Sequence, residues 1–198
     1  NLTGANFNIN GFTVSGAVTV NSALPVRKSN CSTYTYEIGR LTFTNNTSHT
    51  STSVTLTCAN AGSYSLQLVS GVYEVRFING GGANAPNPEV VLNSNFNVGG
   101  NLTGANFNII GRTVSGVLTV NNAPPVLKSN CSSYTYEIGR LIFTNASSQT
   151  SASVTLTCVN AGAFSIELVS GTYEVRFSNG GGANAPNPEV VLNAALSL

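Results

Sequence analysis

The sequence predicts an all-β protein made of two tandem antiparallel β-sandwiches. Three observations support this fold class: apolar and polar residues alternate over short runs, the sequence repeats itself after 100 residues, and no segment has the periodicity of an amphipathic helix. About seven short strands per repeat, separated by turns rich in Gly, Asn and Ser, are typical of a sandwich.

The two halves of the chain are copies of one domain. The nonapeptide NLTGANFNI opens at Asn1 and again at Asn101, and about 70 of the first 90 positions of each copy are identical, without insertion or deletion. A repeat of this length matches an independently folding domain rather than a solenoid repeat. We therefore predict one domain at residues 1–98 and a second at residues 99–198, with Gly99-Gly100 as the swivel.

The first strand of each copy is predicted at FTVSGAVTV, residues 12–20 in the first copy. Val14 and Val18 share a face with Gly16, and a glycine inside a strand indicates that another backbone approaches closely there. The segment NFNI, residues 6–9, is a candidate for one further strand.

The next two strands carry signals about the core. In YTYEIGRLTF, residues 34–43, the apolar phase slips by one residue at Gly39, which predicts a β-bulge. In VTLTC, residues 54–58, apolar residues alternate with threonines, so Cys58 is predicted to lie in the core.

The clearest alternation lies in GSYSLQLVSGVYEVRF, residues 62–77. A Gly-containing turn divides this stretch into two alternating runs, and aromatic and β-branched residues occupy one face of each run. This pattern predicts a β-hairpin with one face in the core. The last predicted strand of the first copy is EVVLNSNFNV, residues 89–98.

Two of these segments resemble a known family. VSGAVTVNSALP, residues 14–25, together with residues 61–77, is similar to the transthyretin-like, carboxypeptidase regulatory-like domains. Those domains are seven-stranded, immunoglobulin-like sandwiches, close in shape to the Cna B-type modules of bacterial surface proteins. The likeness covers residues 14–77 and 114–177, and Asn60-Ala61-Gly62 replaces the Asp that often precedes the Gly. The resemblance implies a structural or accessory module.

The same resemblance raises a covalent hypothesis. Cna B-type domains form Lys–Asn isopeptide bonds with the help of a buried acid, and Lys28, Asn93 and Glu37 supply these residue types. Lys28 falls in a predicted loop instead of the first strand, so a domain without this bond is the favoured interpretation.

Four cysteines, two per copy, predict disulfide bonds. They are Cys31 and Cys58 in the first copy and Cys131 and Cys158 in the second. Four cysteines allow three pairings, and the duplication favours pairing within each copy, because each unit must have folded alone before it was doubled. The alternative is four buried free thiols in a cytosolic protein. The low charge and the absence of a CxxC metal-binding spacing favour disulfides.

Disulfides indicate an extracellular or cell-surface protein, in which Asn-x-Ser/Thr sequons are acceptors for glycans. Among several matches, the polar loop of each copy holds the best candidates for glycosylation: Asn45 and Asn46 in the first copy and Asn145 in the second. In a chain this rich in Asn, Ser and Thr, an unmodified polar loop is an equally good interpretation.

The composition argues against several function classes. Only 8% of the residues are charged, against about 25% in average domains, and the net charge is +1, which predicts no nucleic-acid binding. No apolar run is long enough to predict insertion into a membrane. The chain has no Asp, and its single His, His49, is replaced by Gln149 in the second copy. We therefore predict no enzyme activity, no catalytic or metal-binding residues and no cofactor.

Two functions remain. The favoured one is an extracellular structural protein, a tandem subunit of a surface filament, stalk or adhesin that associates with itself or with neighbouring repeats. In such a fibre, NLTGANFNI or the C-terminal strand adds to the exposed sheet edge of a neighbouring module; the simpler interpretation is that these segments complete their own sheets. The alternative function is a secreted carbohydrate-binding accessory module, with Tyr34 and Tyr36 as a candidate sugar-stacking surface.

Overall fold

The computed structural model describes residues 4, 6–29, 31, 37–87, 89–129, 131, 137–186 and 189–198, and every regular element in this part of the chain is a β-strand. In chain order the strands are β1 (Gly11–Val20), β2 (Glu37–Asn45), β3 (Ser51–Thr57), β4 (Ser63–Val69), β5 (Gly71–Asn79), β6 (Val90–Val98), β7 (Leu102–Thr103), β8 (Phe107–Ile109), β9 (Gly111–Val117), β10 (Glu137–Asn145), β11 (Ser151–Thr157), β12 (Ala163–Val169), β13 (Thr172–Asn179) and β14 (Val190–Ser197). The all-β fold class is therefore confirmed.

The chain divides into two compact units whose boundary differs from the one that the repeat predicts. Unit 1 comprises Asn1–Ala85 and Glu89–Ile109, and unit 2 comprises Pro86–Pro88 and Ile110–Leu198. We predicted that the second domain begins at residue 99. The structure instead places residues 99–109 in unit 1, because β7 and β8 both pair with β1.

Unit 1 is a sandwich of two sheets. One sheet has the strand order β3-β2-β5-β6 and is antiparallel throughout. In the other, β4 pairs antiparallel with one edge of β1, and β7 and β8 pair parallel with β1. The side chains that alternate inward meet between the sheets, where Val14, Val18, Phe43, Val75 and Phe77 are all fully buried.

The predicted hairpin at residues 62–77 is wrong, although its buried faces are right. The two strands, β4 and β5, lie in different sheets: β4 pairs with β1, and β5 pairs with β2 and β6. Tyr64 and Leu68 of β4 and Tyr73 of β5 are nevertheless buried as the alternation predicts. Alternation identifies which face of a strand is buried, but it does not identify the neighbouring strand.

The predicted bulge at Gly39 is confirmed by a register shift between Glu37 and Gly39 in the pairing of β2 with β3. A Cβ on Gly39 would overlap the ring of Phe77, so the close packing of the two strands requires glycine at this position. The second copy has the same shift before Gly139.

Unit 2 repeats the first sheet but only half of the second. Its four-stranded sheet has the order β11-β10-β13-β14, which matches β3-β2-β5-β6 of unit 1. Its other sheet has two strands, β12 and β9, which correspond to β4 and β1. The strands that flank the outer edge of β1 in unit 1 have no counterpart among the described residues of unit 2.

Candidate functional site

The outer edge of β1 binds the segment NLTGANFNI of the second repeat, residues 101–109. The pairing is parallel, with Val14 opposite Leu102 and Val18 opposite Phe107. The Ala105 amide also donates a 2.9 Å hydrogen bond to the carbonyl oxygen of Ser15. The first sandwich is therefore completed by residues that the sequence repeat assigns to the second one.

The alternation within NFNI determines how this segment binds. Phe107 and Ile109 point into unit 1 and are 7% and 1% exposed, while Asn106 and Asn108 point outward. Two apolar side chains thus enter the core, and the intervening amides remain available to the neighbouring backbone.

The asparagine side chains add hydrogen bonds to those of the strand pairing. The Oδ1 atom of Asn106 accepts a 2.9 Å bond from the Ala17 amide, and Oδ1 of Asn108 accepts a 2.8 Å bond from the Ser22 amide. The Oδ1 atom of Asn101 likewise accepts a 2.9 Å hydrogen bond from the Thr13 amide. Three side-chain amides of one short segment therefore hold the backbone of β1 and the turn that follows it.

Phe107 completes an aromatic cluster in unit 1. Its ring centroid lies 5.6 Å from that of Phe96, 6.1 Å from that of Tyr64 and 6.4 Å from that of Phe43. These separations fall in the range in which aromatic rings attract one another. Residue 107 is thus part of the core of unit 1 rather than a surface attachment.

Tyr64 joins this cluster to the backbone of the bound segment. Its hydroxyl donates a 2.5 Å hydrogen bond to the carbonyl oxygen of Ala105. Burial raises the pKa of the Tyr64 phenol well above its ordinary value, because the charged form would lose its hydration. The phenol therefore stays a neutral donor at any physiological pH.

Gly16 makes the close approach of the segment feasible. A Cβ at this position would overlap the backbone carbonyl of Ala105. The sequence-based prediction that another backbone approaches Gly16 is therefore confirmed, and the approaching backbone is that of residue 105.

The corresponding place in unit 2 is an open groove of about 380 Å³. A cavity of about 150 Å³ is enough to hold a benzene molecule, so this groove has room for an aromatic ring and further apolar groups. Its lining residues are Val114, Val117, Leu118, Thr119, Leu141, Phe143, Phe164, Val175, Leu192, Asn193 and Leu196. Phe143, Phe164 and Leu196 occupy the positions of Phe43, Tyr64 and Phe96, the three aromatic residues that contact Phe107 in unit 1.

The edge strand of this groove is more exposed than its counterpart. Val14 is fully buried in unit 1, whereas Val114 of unit 2 is only partly buried. Val117 on the same strand is 58% exposed. Among the described residues, a Cβ on Gly116 would contact the ring of Phe164 alone, at 3.3 Å, whereas one on Gly16 would meet a backbone.

The first copy of NLTGANFNI has no such binding place in the described structure. Residues 6–10 form no strand, and the side chains of Phe7 and Ile9 are 93% and 82% exposed. The expectation of a strand at residues 6–9 is therefore wrong for the first copy and right for the second, where β8 spans Phe107–Ile109. Identical residues differ in structure because only the second copy meets an open sheet edge.

The disulfides predicted within each copy are confirmed. Cys31 is bonded to Cys58 and Cys131 to Cys158, with Cα atoms 5.8 and 5.7 Å apart. Cys58 is 3% exposed, as its place in the alternation predicts.

The candidate glycosylation residues occupy two different environments. Asn45 and Asn145 are 9% and 6% exposed, and the Oδ1 atom of each accepts hydrogen bonds from two backbone amides of the following turn. These side chains therefore stabilise the turn, and glycosylation of Asn45 and Asn145 stays a prediction. Asn46 is exposed and donates through Nδ2 to the carbonyl oxygen of Ser94, at 3.0 Å.

The remaining candidate groups that the structure describes do not converge on a reactive site. Lys28 and Asn93, the proposed isopeptide partners, are both exposed, and the Asn93 side chain accepts a 2.8 Å bond from the Asn95 amide. Tyr34 and Tyr36 lie outside the described residues. In the part of the chain that is described, no group of three or more His, Cys, Asp or Glu residues is placed to bind a metal ion. No helix within these residues is long and apolar enough to cross a membrane.

Comparison with known proteins yields structural likenesses only. No protein-family model matches the chain, and no curated protein sequence matches it. Among solved structures, a leucine-rich repeat protein from Bacteroides thetaiotaomicron aligns with 95% of this chain at 15% identity and a TM-score of 0.27, and the chain spans 24% of that protein. A DUF3823 family protein from Parabacteroides merdae aligns over 94% of this chain and 100% of its own, at 13% identity and a TM-score of 0.34.

The shaft pilin SpaA from Lactobacillus rhamnosus GG also aligns with this chain. The alignment covers 95% of this chain and 94% of the pilin, at 10% identity and a TM-score of 0.25. At TM-scores of 0.25 to 0.34, the fold assignment rests on the sheets of this chain and not on these likenesses.

Proposed function

We propose that the chain is a structural subunit of an extracellular fibre or stalk, built from sandwiches that share strands between consecutive repeats. The observation that carries the proposal is that residues 102–109, from the start of the second repeat, pair with β1 and enter the core of unit 1. Strand addition of this kind links one module to the next through backbone hydrogen bonds and buried side chains.

The shared segment suits a load-bearing role. Pulling residues 101–109 away from unit 1 would break the strand pairing, three asparagine hydrogen bonds and the burial of Phe107 and Ile109. Since these interactions are lost together, the junction resists force cooperatively. A flexible linker between two closed domains would have no such resistance.

An extracellular location is supported by the two disulfides. Cys31–Cys58 and Cys131–Cys158 are the kind of bond that persists in oxidising compartments and is rare in the cytosol. The proposal includes the assignment that each unit is a transthyretin-like, Cna B-type sandwich. In unit 1 the shared segment, as β7 and β8, extends the sheet that β1 forms with β4.

The proposal assigns the chain no catalytic role and no partners other than copies or repeats of the same protein. The charged side chains of β5 support this, because they pair with one another. Arg76 binds Glu74 and also Glu89, the latter at 3.4 Å, and Arg176 repeats the arrangement in unit 2. Only 8% of the residues are charged, which fits a chemically inert structural element.

Electron microscopy of the producing cells with antibodies against this chain tests the proposed function. We expect labelling along extended fibres outside the cell. Labelling that is confined to the cell interior, or to dispersed particles in the medium, would contradict a structural role.

A further inference from the structure

We propose that the groove of unit 2 binds the N-terminal segment NLTGANFNI, residues 1–9, of a second copy of this chain. The inference deepens the proposed function and rests on it, because it names the partner that joins one subunit to the next. It starts from an internal precedent: the same nine residues, numbered 101–109, already fill the equivalent groove of unit 1.

The groove has the chemistry that the precedent requires. The ring centroids of Phe143 and Phe164 lie 6.3 Å apart. The equivalent rings of unit 1, Phe43 and Tyr64, lie 6.1 Å apart and both contact Phe107. The lining is mainly apolar and the edge strand β9 is open, with Val117 58% exposed. An open strand edge beside an apolar groove is the arrangement that accepts an added strand.

The segment has the exposed apolar groups that the groove lacks. Phe7 and Ile9 are 93% and 82% exposed in the single chain. Their equivalents, Phe107 and Ile109, are 7% and 1% exposed once bound. Large apolar side chains left this exposed indicate an interaction surface.

The register follows from unit 1. Val18 pairs with Phe107 and Val20 with Ile109, so Leu118 is expected opposite Phe7 and Val120 opposite Ile9, in a parallel arrangement.

The asparagine hydrogen bonds are expected to recur in the same way. In unit 1 the Ala17 amide donates to Asn106 and the Ser22 amide to Asn108. By the same spacing, the Val117 amide would donate to Asn6 and the Asn122 amide to Asn8 of the second copy.

The resulting contact is heterologous, since the segment of one copy binds the groove of another. In the described structure Phe7 and Ile9 stay exposed and the groove of unit 2 is open, whereas the groove of unit 1 is already filled by residues 102–109. Repeated contacts of this type form an open fibre unless the geometry closes a ring.

Two variants of the full chain separate the two sides of this contact. Phe7→Asp leaves the groove intact but places a charge where the phenyl ring must be buried, which we expect to weaken binding by about 100-fold or more. Gly116→Ala leaves the segment intact but adds a Cβ where, by analogy with Gly16 and Ala105, the backbone of residue 5 must pass. Within the described part of unit 2 the one near neighbour of that Cβ is the ring of Phe164, so the variant is expected to fold.

Sedimentation velocity over a range of concentrations provides the measurement. We expect wild-type chains to form a series of head-to-tail oligomers, and each variant alone to remain monomeric at 20.4 kDa. A mixture of the two variants should stop at the heterodimer, since one supplies the only working groove and the other the only working segment. A synthetic NLTGANFNI peptide should block the wild-type series, and the same peptide with Phe7→Asp should not.

Three results would overturn the inference: wild-type chains that stay monomeric, oligomers that neither substitution reduces, or mixed variants that do not pair. The peptide arm decides the question if Gly116→Ala fails to fold. These outcomes are independent of the test of the proposed function. If extracellular fibres form and neither substitution changes their assembly, the inference about the groove is wrong but the proposed function stands. If the two variants pair but no extracellular labelling is seen, the proposed function is wrong but the inference about the groove stands.

Discussion

The Tyr64 hydroxyl donates a 2.5 Å hydrogen bond to the carbonyl oxygen of Ala105, which lies 41 residues further along the chain. A side chain of the first repeat thereby holds the backbone of the segment that opens the second. Phe164 occupies the equivalent position in unit 2 and has no hydroxyl. The groove of unit 2 therefore lacks the hydroxyl that holds the backbone of residue 105 in unit 1.

Phe107→Ala should destabilise unit 1 by about 3 to 5 kcal/mol, because it removes a buried ring and leaves a cavity among Phe43, Tyr64 and Phe96. Hydrogen exchange of the β1 amides in dilute protein measures the effect. The matched control is Phe7→Ala, an identical change in a side chain that is 93% exposed. Equal losses in the two variants would contradict the role assigned to residue 107.

Gly16→Ala should destabilise unit 1 by about 1 to 3 kcal/mol, since the new methyl group would overlap the Ala105 carbonyl and push the bound segment outward. Gly116→Ala should have a smaller effect on a monomeric chain, because its new methyl group would meet the movable ring of Phe164 instead of a backbone carbonyl. Thermal unfolding of the two variants compares them. A larger loss of stability for Gly116→Ala than for Gly16→Ala would contradict the finding that a bound backbone lies against Gly16 but not against Gly116.

Asn145→Ala should destabilise unit 2 by about 1 to 3 kcal/mol, because it leaves the amides of Ser147 and Ser148 without the acceptor that the buried side chain provides. Asn45→Ala should act alike in unit 1. Asn46→Ala is the control: its side chain is exposed and alanine already stands at position 146. Urea unfolding compares the stability of the three variants. A loss of stability for Asn46→Ala as large as that for Asn45→Ala would contradict the role assigned to the buried side chains.

Replacing both Cys31 and Cys58 by alanine should lower the free energy of unfolding of unit 1 by about 3.5 kcal/mol, the chain-entropy value for a loop of this size. The bond links residues 27 positions apart. Titration of the native wild-type chain with a thiol reagent should detect no free cysteine among the described residues. An unchanged unfolding midpoint in the double variant would show that the bond contributes nothing to stability.

Unit 1 should lose stability as the pH rises above about 10, the ordinary pKa of a tyrosine. Burial raises the pKa of Tyr64 in the folded state, so the unfolded chain loses its phenolic proton first and the free energy of unfolding falls with pH. Tyr64→Phe, which copies Phe164, should reduce this dependence. Urea unfolding between pH 8 and about 11 measures how the free energy of unfolding depends on pH in the wild type and in the variant. The same pH dependence in both would show that Tyr64 is not its cause.

Local signals in the sequence were sufficient to predict most of the strands and buried faces of each sandwich. Alternation identified the buried faces of β1, β4 and β5, the phase slip located the bulge at Gly39, and Gly16 indicated a close backbone approach. Each of these features depends on neighbouring residues along the chain, so a single repeat contains the information. The prediction of a hairpin was wrong because β4 pairs with β1 and not with β5. The pairing of β4 with β1 joins residues about 50 positions apart in the sequence, so the local pattern does not specify it.

The candidate site had a partial sequence signal. The repeated NFNI, with two asparagines alternating with Phe and Ile, indicates a segment with one apolar and one hydrogen-bonding face. The roles of Tyr64 and of the asparagine side chains were missed, because nothing in the local pattern specifies which backbone they contact.

The sequence by itself determined that the protein is a duplicated all-β chain with few charged residues, and it favoured disulfides within each copy. These properties follow from composition, periodicity and the repeat. Only the tertiary structure decided that residues 101–109 belong to unit 1, whereas residues 6–10 of the first copy form no strand. The physical reason is that an identical segment becomes a strand only where an unpaired sheet edge and an apolar groove are within reach.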